Sequence, residues 1–483
     1  MKKYLFILIF TVIFSDLKAQ NHVDALRYSF LEPLGSARLS SLSGAFNSLG
    51  GEMSVIQSNP ASLAIYRSDE FSFTFNSANK NTKTNLNGIK TQNDAQKIYL
   101  QNIGYVKTLN LNDNSLNGWN RFSYAFTYNR QQNFNQKINY SGETNSSMIN
   151  NFLSNAQGTS PEDLNPFSES LAYYSWLIDT INDPTTYNSS INNIIGSNQY
   201  VSINRFGYIE EAALSISGAY NDNLFVGFQL GFCGIDYREN IYYSEDSFLG
   251  NNNDSYETGE LQNFSFNQNL HVLGGGVNYK IGVILKPYYW LRIGLAHHSK
   301  TYYQIDENWS SNMSTEFSSG DTYTELSPDG FGNFELNTPS KNLAGLSLIL
   351  FRKGLISFDI ENIDYSTSNL NASYYNFSSE NSNISTYYKD VTNIKIGFEW
   401  KFGNIAIRQG IAFFESPFSN EINDYSIIKN SFGIGYYQNQ YFVDFGFVNS
   451  KQKETYYAYE GVSEPINLTE KNSSFLVTVG YKF

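Results

Sequence analysis

The closing stretch, Ser473-Ser474-Phe475-Leu476-Val477-Thr478-Val479-Gly480-Tyr481-Lys482-Phe483, constrains the fold more than any other part of the chain. Successive strand side chains point to opposite faces, so Phe475, Val477, Val479, Tyr481 and Phe483 share one face while Thr478, Gly480 and Lys482 share the other. One apolar face and one small or polar face is the pattern of a strand standing between lipid and a wet lumen. Fold class, solvent and compartment are therefore constrained together.

The opposite end agrees. Lys2-Lys3 precede an apolar run from Tyr4 to Phe14, and Leu17-Lys18-Ala19-Gln20 supplies a small residue for cleavage, so residues 1–19 read as a secretory signal peptide. That run is too short for a permanent spanning helix. With a mean hydropathy of -0.38 and no later apolar stretch of spanning length, any membrane crossing in the mature chain has to use strands. The 37 Tyr and 37 Phe suit aromatic girdles at the two bilayer edges. A net charge of -13 excludes nucleic acid as a partner class, and a single cysteine, Cys233, excludes an internal disulfide framework. A soluble solenoid or propeller would need a fixed-period repeat, and none is visible.

Strand-like segments recur at 69–78, 97–108, 120–140, 206–220, 223–242, 262–285, 288–305, 339–352, 354–370, 388–402, 404–415, 427–438, 440–458 and 472–483. Turn-forming residues at Asn221-Asp222-Asn223, Lys286-Pro287, Lys353-Gly354, Gly403-Asn404 and Asn439-Gln440 make short connections. Between them lie polar excursions near 141–205, 243–262, 306–338, 370–390, 415–427 and 451–472. Alternation of short and long connections is the asymmetry of an outer-membrane barrel, with short periplasmic turns and longer external loops. The expected fold is all-β: a transmembrane antiparallel barrel of about fourteen strands over residues 69–483, an even number as closure requires.

Residues 20–68 are not strand-like. They are rich in small residues, which allow close backbone approach, and Asn59-Pro60 suits a turn or helix start. The Arg38 to Ala45 stretch, with Gly44-Ala45-Phe46, and Asn59-Pro60-Ala61 resemble the N-terminal hatch of the FadL-type long-chain fatty acid transporters. Val283 to Gly294, Thr338-Pro339-Ser340 and Ile396 to Phe402 also look like that family, so the resemblance spans nearly the whole mature chain. It implies a fourteen-stranded barrel in the outer membrane of a Gram-negative bacterium, plugged by a hatch in which Arg38, Gly44, Ala45, Asn59, Pro60 and Ala61 take part. It implies passive passage of a hydrophobic molecule, captured outside, moved to a lumen pocket and released sideways through the wall after hatch movement. The aromatic end, Tyr481 and Phe483, resembles the terminal signal that presents a barrel to the outer-membrane assembly machinery, and outer-membrane lipid is the implied surrounding partner. The chain departs from the family in keeping only Glu52 among the acidic positions after Gly51, and in placing its longest excursion at 141–205.

That excursion predicts a helix. Ser160-Pro161-Glu162 is a helix start, and Leu164, Phe167, Leu171, Tyr174, Ile178 and Ile181 recur at three-four spacing. Such a face either packs on the barrel rim or forms an external groove for ligand, with Phe167, Leu171, Tyr174 and Ile178 as the lining. Parity along the strands sends Arg292, Arg408, Lys395, Glu399, Lys401, Asp359, Glu361 and Asp444 into the lumen. Arg292 and Arg408 are candidates to hold a ligand carboxylate by forked hydrogen bonds; the alternative is that they pair with the lumen carboxylates.

Catalysis finds no support. His297 and His298 point to opposite faces, so they do not share a metal, and Gly274-Gly275-Gly276 lies within a strand and reads as a bulge or a point of hatch approach. No hydrolase or zinc motif is present, so neither catalytic residues, cofactor nor metal is expected. Two readings from different classes remain: uptake of a hydrophobic small molecule, or a FadL-like membrane adaptor holding a protein partner at its external loops. An outer-membrane enzyme is a distant third.

Overall fold

The computed structural model describes residues 22–31, 34–111, 118–252, 260–420, 424–459 and 464–483; the expected signal peptide lies outside the described residues. Fourteen wall strands close a barrel. They are β1 Glu70–Leu86, β2 Ile89–Asn110, β3 Trp119–Asn133 continued by Gln136–Thr144, β4 Ile191–Tyr220, β5 Leu224–Asn252, β6 Leu261–Tyr288 and β7 Leu291–His298 continued by Tyr302–Phe317. The ring goes on through β8 Gly330–Asn337 continued by Lys341–Leu350, β9 Gly354–Asp364 continued by Asn369–Asn371, β10 Asp390–Phe402, β11 Ile405–Phe414, β12 Ile427–Gln438, β13 Tyr441–Tyr456 and β14 Ile466–Lys482. Every neighbour is antiparallel, and β14 closes on β1 from Glu70↔Lys482 to Asn85↔Asn467. Closure leaves no free sheet edge in the membrane.

The outward face is apolar and exposed, with Phe126, Leu214, Ile216, Phe232, Ile281 and Phe432 among its residues, while inward neighbours such as Thr127, Ser215 and Ser431 are buried. An exposed apolar belt of this size is what lipid covers. Aromatic pairs gather at the short-turn end: Tyr288 stacks on Trp290 at 5.5 Å, Phe398 on Trp400 at 6.3 Å, and Tyr105 on Phe483 at 6.1 Å. Tyr481 packs on Tyr441 and Phe483 in the same girdle.

Several expected boundaries move. Of the excursions at 243–262 and 451–472, the parts 243–252, 261–262, 451–456 and 466–472 are strand, while 253–259 and 460–463 lie outside the described residues; residues 79–96, read as a connection, form the outer half of a hairpin joined by Asn87-Gly88. Both turn residues have positive φ, 48° and 92°, as a two-residue turn matched to strand twist demands. Outside the bilayer both strand faces are wet, so Asn79-Lys80-Asn81-Thr82-Lys83 loses the apolar alternation while the backbone ladder continues. The turn expected at Lys286-Pro287 falls instead at Tyr289-Trp290, since β6 runs on to Tyr288.

The helix expected through 160–181 is also corrected. A 3₁₀ turn covers Pro161–Asp163, and an α-helix appears only at Glu169–Tyr174, behind a separate helix at Met148–Ala156. Pro166 explains the break: it has no N–H to donate and disfavours helical backbone at Asn165. Ser160 makes no capping hydrogen bond to the backbone; its hydroxyl donates to Asp163.

Candidate functional site

Residues 34–68 sit inside the lumen at the short-turn end. Ser36 caps the short helix Ala37–Ser41, its hydroxyl accepting from Leu39 N–H at 3.1 Å. Asn59 caps a 3₁₀ helix at Pro60–Ile65: its side-chain oxygen accepts from Ala61 N–H at 3.1 Å, Pro60 occupies the first position where no N–H is needed, and its Nδ2 donates to Asn47 O at 2.9 Å. Gly44 has φ +83°, a conformation open to glycine at little cost, and Ala45 is fully buried.

A belt of glycines in the wall receives this segment. Gly227 faces Gly282, Gly294 faces Gly345, Gly397 faces Gly410 and Gly433 faces Gly446 across adjacent strands. A Cβ on Gly410 would stand 2.3 Å from Leu42 C, and one on Gly227 would stand 2.3 Å from Pro60 C. The lumen segment thus lies backbone to backbone against the wall. Sequence reading pointed instead to Gly274-Gly275-Gly276 as a bulge or contact. The structure shows regular register there, and Gly275 has no neighbour within 4 Å of its would-be Cβ.

Ion pairs lock the same contact. Arg38 donates to both oxygens of Glu399 at 2.8 and 2.9 Å and lies over the Phe46 ring at 4.9 Å. Arg408 is buried, donating to Glu399 and Asp444, each at 2.6 Å, and to the Tyr437 hydroxyl at 2.6 Å. Asp359 accepts from the Phe46 and Asn47 N–H groups, both at 2.7 Å, and Lys395 pairs with Glu361 at 3.2 Å. The inward parity assigned to Arg408, Lys395, Glu399, Asp359, Glu361 and Asp444 is what the structure has. As a headgroup ligand, however, Arg408 is corrected: all three of its nitrogens are engaged by the protein. Arg292 instead donates to Leu49 O of the lumen segment.

Above this contact the helix at His22–Ser29 and Phe30 fill the middle of the lumen, with Tyr28 packed edge-on to Tyr237 at 6.1 Å and to Phe134 at 6.4 Å. Residues 145–190 close the outer end. Leu171 and Ile178 are buried there against inward strand residues such as Phe264, Met313 and Phe317, so the stripe is not an open groove, and Tyr174 points to solvent. Phe167 is placed otherwise. Its ring lies 5.7 Å from that of Trp309, its carbonyl accepts from Ser311 Oγ at 2.6 Å, and with Ile241 and Leu270 it lines a cavity of about 290 Å³ beneath the cap.

The wall ladder lapses on one side of this lumen. The ladder between β2 and β3 runs from Asn110–Arg121 to Asn102–Asn129 and stops. Beyond it β2 pairs only with β1, and β3 only with β4. The two sides meet again near the tip, where Thr84 Oγ1 donates to Asn139 O at 2.7 Å and Asn87 Nδ2 to Glu143 O at 3.0 Å. The cause is a kink in β3. Its register with β4 shifts between Arg130 and Gln132, Phe134-Asn135 leave the strand, and opposite them Gly207 takes φ +108°, where any Cβ would meet Asp236 O at 2.0 Å. Gln101 forms the sill, donating to Arg130 O at 2.6 Å, and the Arg130 guanidinium lies over Tyr208 at 4.0 Å and Tyr99 at 5.0 Å. A narrow cavity of about 30 Å³ joins Tyr99, Gln101 and Arg130 to the lumen residues Lys429, Val448 and Ser474. Sequence reading missed this lapse. Phe134-Asn135 within a polar stretch gives no local sign that one ladder lapses while the other persists.

His298 faces inward, its Nε2 bonding Ser58 O at 2.8 Å, and His297 faces out, as alternation requires. Among the described residues no group of three metal-ligating side chains is assembled.

A family model described as outer membrane protein transport protein (OMPP1/FadL/TodX) matches residues 185–483. No curated protein matches the chain in sequence. Among solved structures, a Pseudomonas aeruginosa FadL homologue shares the fold at 12% identity and a TM-score of 0.57, over 93% of this chain and 99% of its own. The P. putida toluene transporter TodX is similar at 12% identity and 0.55, over 94% and 99%. The Ralstonia pickettii toluene transporter TbuX is similar at 12% and 0.54, over 94% and 99%. At these identities the likeness is one of fold.

Proposed function

The chain belongs to the outer-membrane transport family of OMPP1, FadL and TodX, and we propose that it takes up hydrophobic small molecules passively across the outer membrane of a Gram-negative bacterium. The observation that carries this reading is the lapse in the ladder between β2 and β3, beside a narrow cavity that reaches the lumen residues Lys429, Val448 and Ser474. Cargo enters the cavity at Phe167, Ile241, Leu270 and Trp309, where each buried methylene contributes about 0.8 kcal/mol. In this reading Arg130, held over Tyr208 and Tyr99, closes the side exit, and its movement with the lumen segment opens it. Residues 20–68 serve as the hatch of a barrel formed by 69–483, after removal of 1–19. Long-chain fatty acids are one cargo class; compact aromatic hydrocarbons are the other, since two structural relatives are named toluene transporters. Tyr481 and Phe483 present the barrel to the assembly machinery, and outer-membrane lipid receives the cargo at the side exit.

Removing Phe134 and Asn135 tests the side exit. Two residues leave strand parity intact and let β3 continue its ladder with β2. Uptake of radiolabelled oleate or toluene should fall to the level of cells lacking the barrel, while heat-modifiable migration stays normal. Unchanged uptake by a folded deletion variant would reject the side exit. Loss of a co-purifying protein with uptake intact would favour the adaptor reading.

A further inference from the structure

A further cavity, of about 390 Å³, opens at the short-turn end beneath the lumen segment. In a chain of net charge -13 its lining is strongly basic: seven cations stand against one carboxylate, Glu399. Glu399 is already engaged by Arg38 and Arg408. Lys482 pairs with Glu70 at 3.4 Å, and Arg67 lies 3.9 Å from Asp222. Arg292, Arg352, Lys353 and Lys401 have no carboxylate within ion-pair distance among the described residues. Arg292 is the most telling. Its Nε is buried without a hydrogen-bond partner, and among the described residues its guanidinium makes one hydrogen bond, to a backbone carbonyl, Leu49 O. Cations gathered without counter-charge raise the local concentration of anions, and guanidinium groups favour planar or tetrahedral oxyanions. The inner wall of the same cavity is apolar, with Phe46, Leu49, Ile65, Ile349 and Leu355.

We propose that this periplasmic mouth is an anion site for the phosphate head of an amphiphile, with Arg292, Arg352, Lys353 and Lys401 around the head and Ile349 and Leu355 beside the first part of its chain. The inference needs the orientation of the barrel and does not depend on what the lumen carries. A head group drawn to Arg292 competes with Leu49 O for the same guanidinium, so occupancy of the site loosens the lumen segment at Leu49.

Native mass spectrometry of the full-length barrel with dioleoyl phosphatidylglycerol or dioleoyl phosphatidylcholine tests the site. The anionic lipid should be retained preferentially, and Arg352→Asn with Lys353→Gln should reduce that preference about tenfold per charge removed. Both residues lie in an exposed turn, and Asn suits the positive φ of 56° at Arg352, so folding is preserved. Arg292→Gln should weaken retention further and, unlike the turn variants, increase protease cleavage near Leu49. Equal retention of the two lipids, or a preference that survives all three substitutions in folded protein, overturns the proposal. Displacement of the lipid by millimolar inorganic phosphate would assign the site to free phosphate as well; displacement only by a short-chain phosphatidic acid would assign it to the amphiphile.

Discussion

Replacing Gly227 and Gly410 with alanine should undock the lumen segment without harming the wall. The new methyl at each site would lie 2.3 Å from a backbone carbon, Pro60 C or Leu42 C, where ordinary contact begins at 3.4 Å. The segment must therefore retreat by 3.4 less 2.3, or 1.1 Å, at two points on opposite sides. It cannot flex to do so cheaply: Ala61 N–H is held by Asn59 Oδ1 at 3.1 Å, and Ser43 N–H by Ser40 O at 3.0 Å. Overpacking of this kind costs about 1–3 kcal/mol per site, and separated sites add, giving about 2–6 kcal/mol. That shifts the docked-to-undocked ratio by about 30-fold to about 10⁴-fold. Neither glycine needs a positive φ, so alanine adopts the strand backbone without strain. Conductance in planar bilayers should rise, and protease should cleave residues 34–68, while heat-modifiable migration persists. Gly275→Ala is the control, with open space at its would-be Cβ. Wild-type conductance and protection in the double variant, or equal leakiness in the control, would refute the argument.

Two further outcomes follow from the same contact. Glu399→Gln removes the carboxylate shared by Arg38 and Arg408 and leaves Asp444 as the sole carboxylate paired with buried Arg408, so thermal unfolding of the docked form should lose about 3–5 kcal/mol, the usual cost of breaking a buried pair. Glu52 caps the 3₁₀ helix at Met53–Gln57, and burial, reinforced by Glu70 and opposed by Ser36 and Arg38, pushes its carboxyl up to about 7. When undocked it loses its proton near the ordinary 4.5, so the protonated form favours docking in full below 4.5, and that contribution falls as pH rises through 7. Protease protection of the segment should therefore decline between pH 5 and 8 by about 3 kcal/mol at most, and Glu52→Gln should flatten the dependence; a slope of opposite sign would exclude Glu52 as its source.

Local pattern carried the wall. In β11, Ile405, Ile407 and Ile411 alternate with Ala406, Arg408 and Gly410, and the structure keeps that alternation because lipid on one side leaves no other solution for an apolar face. The pattern failed where the bilayer ends. The Asn87-Gly88 hairpin carried its own turn signal, yet the strands beside it are polar on both faces and read as loop. Pro166 likewise broke a stripe whose spacing alone suggested one helix.

By itself the sequence determined the all-β class, the strand count, the lumen direction of Arg292 and Arg408, and the Asn59-Pro60 cap, because alternation and capping are set by neighbours within a few residues. Tertiary structure decided the rest. It took Arg408 out of any ligand path by surrounding it with Glu399, Asp444 and Tyr437, buried Leu171 and Ile178 under the cap, and aligned glycines from different strands into one belt. It also placed the lapse in the β2–β3 ladder, beside the kink of β3 opposite Gly207. These are relations between residues tens to hundreds of positions apart, fixed by strand register around a closed ring, and a period-two reading of one strand does not contain the register of the next.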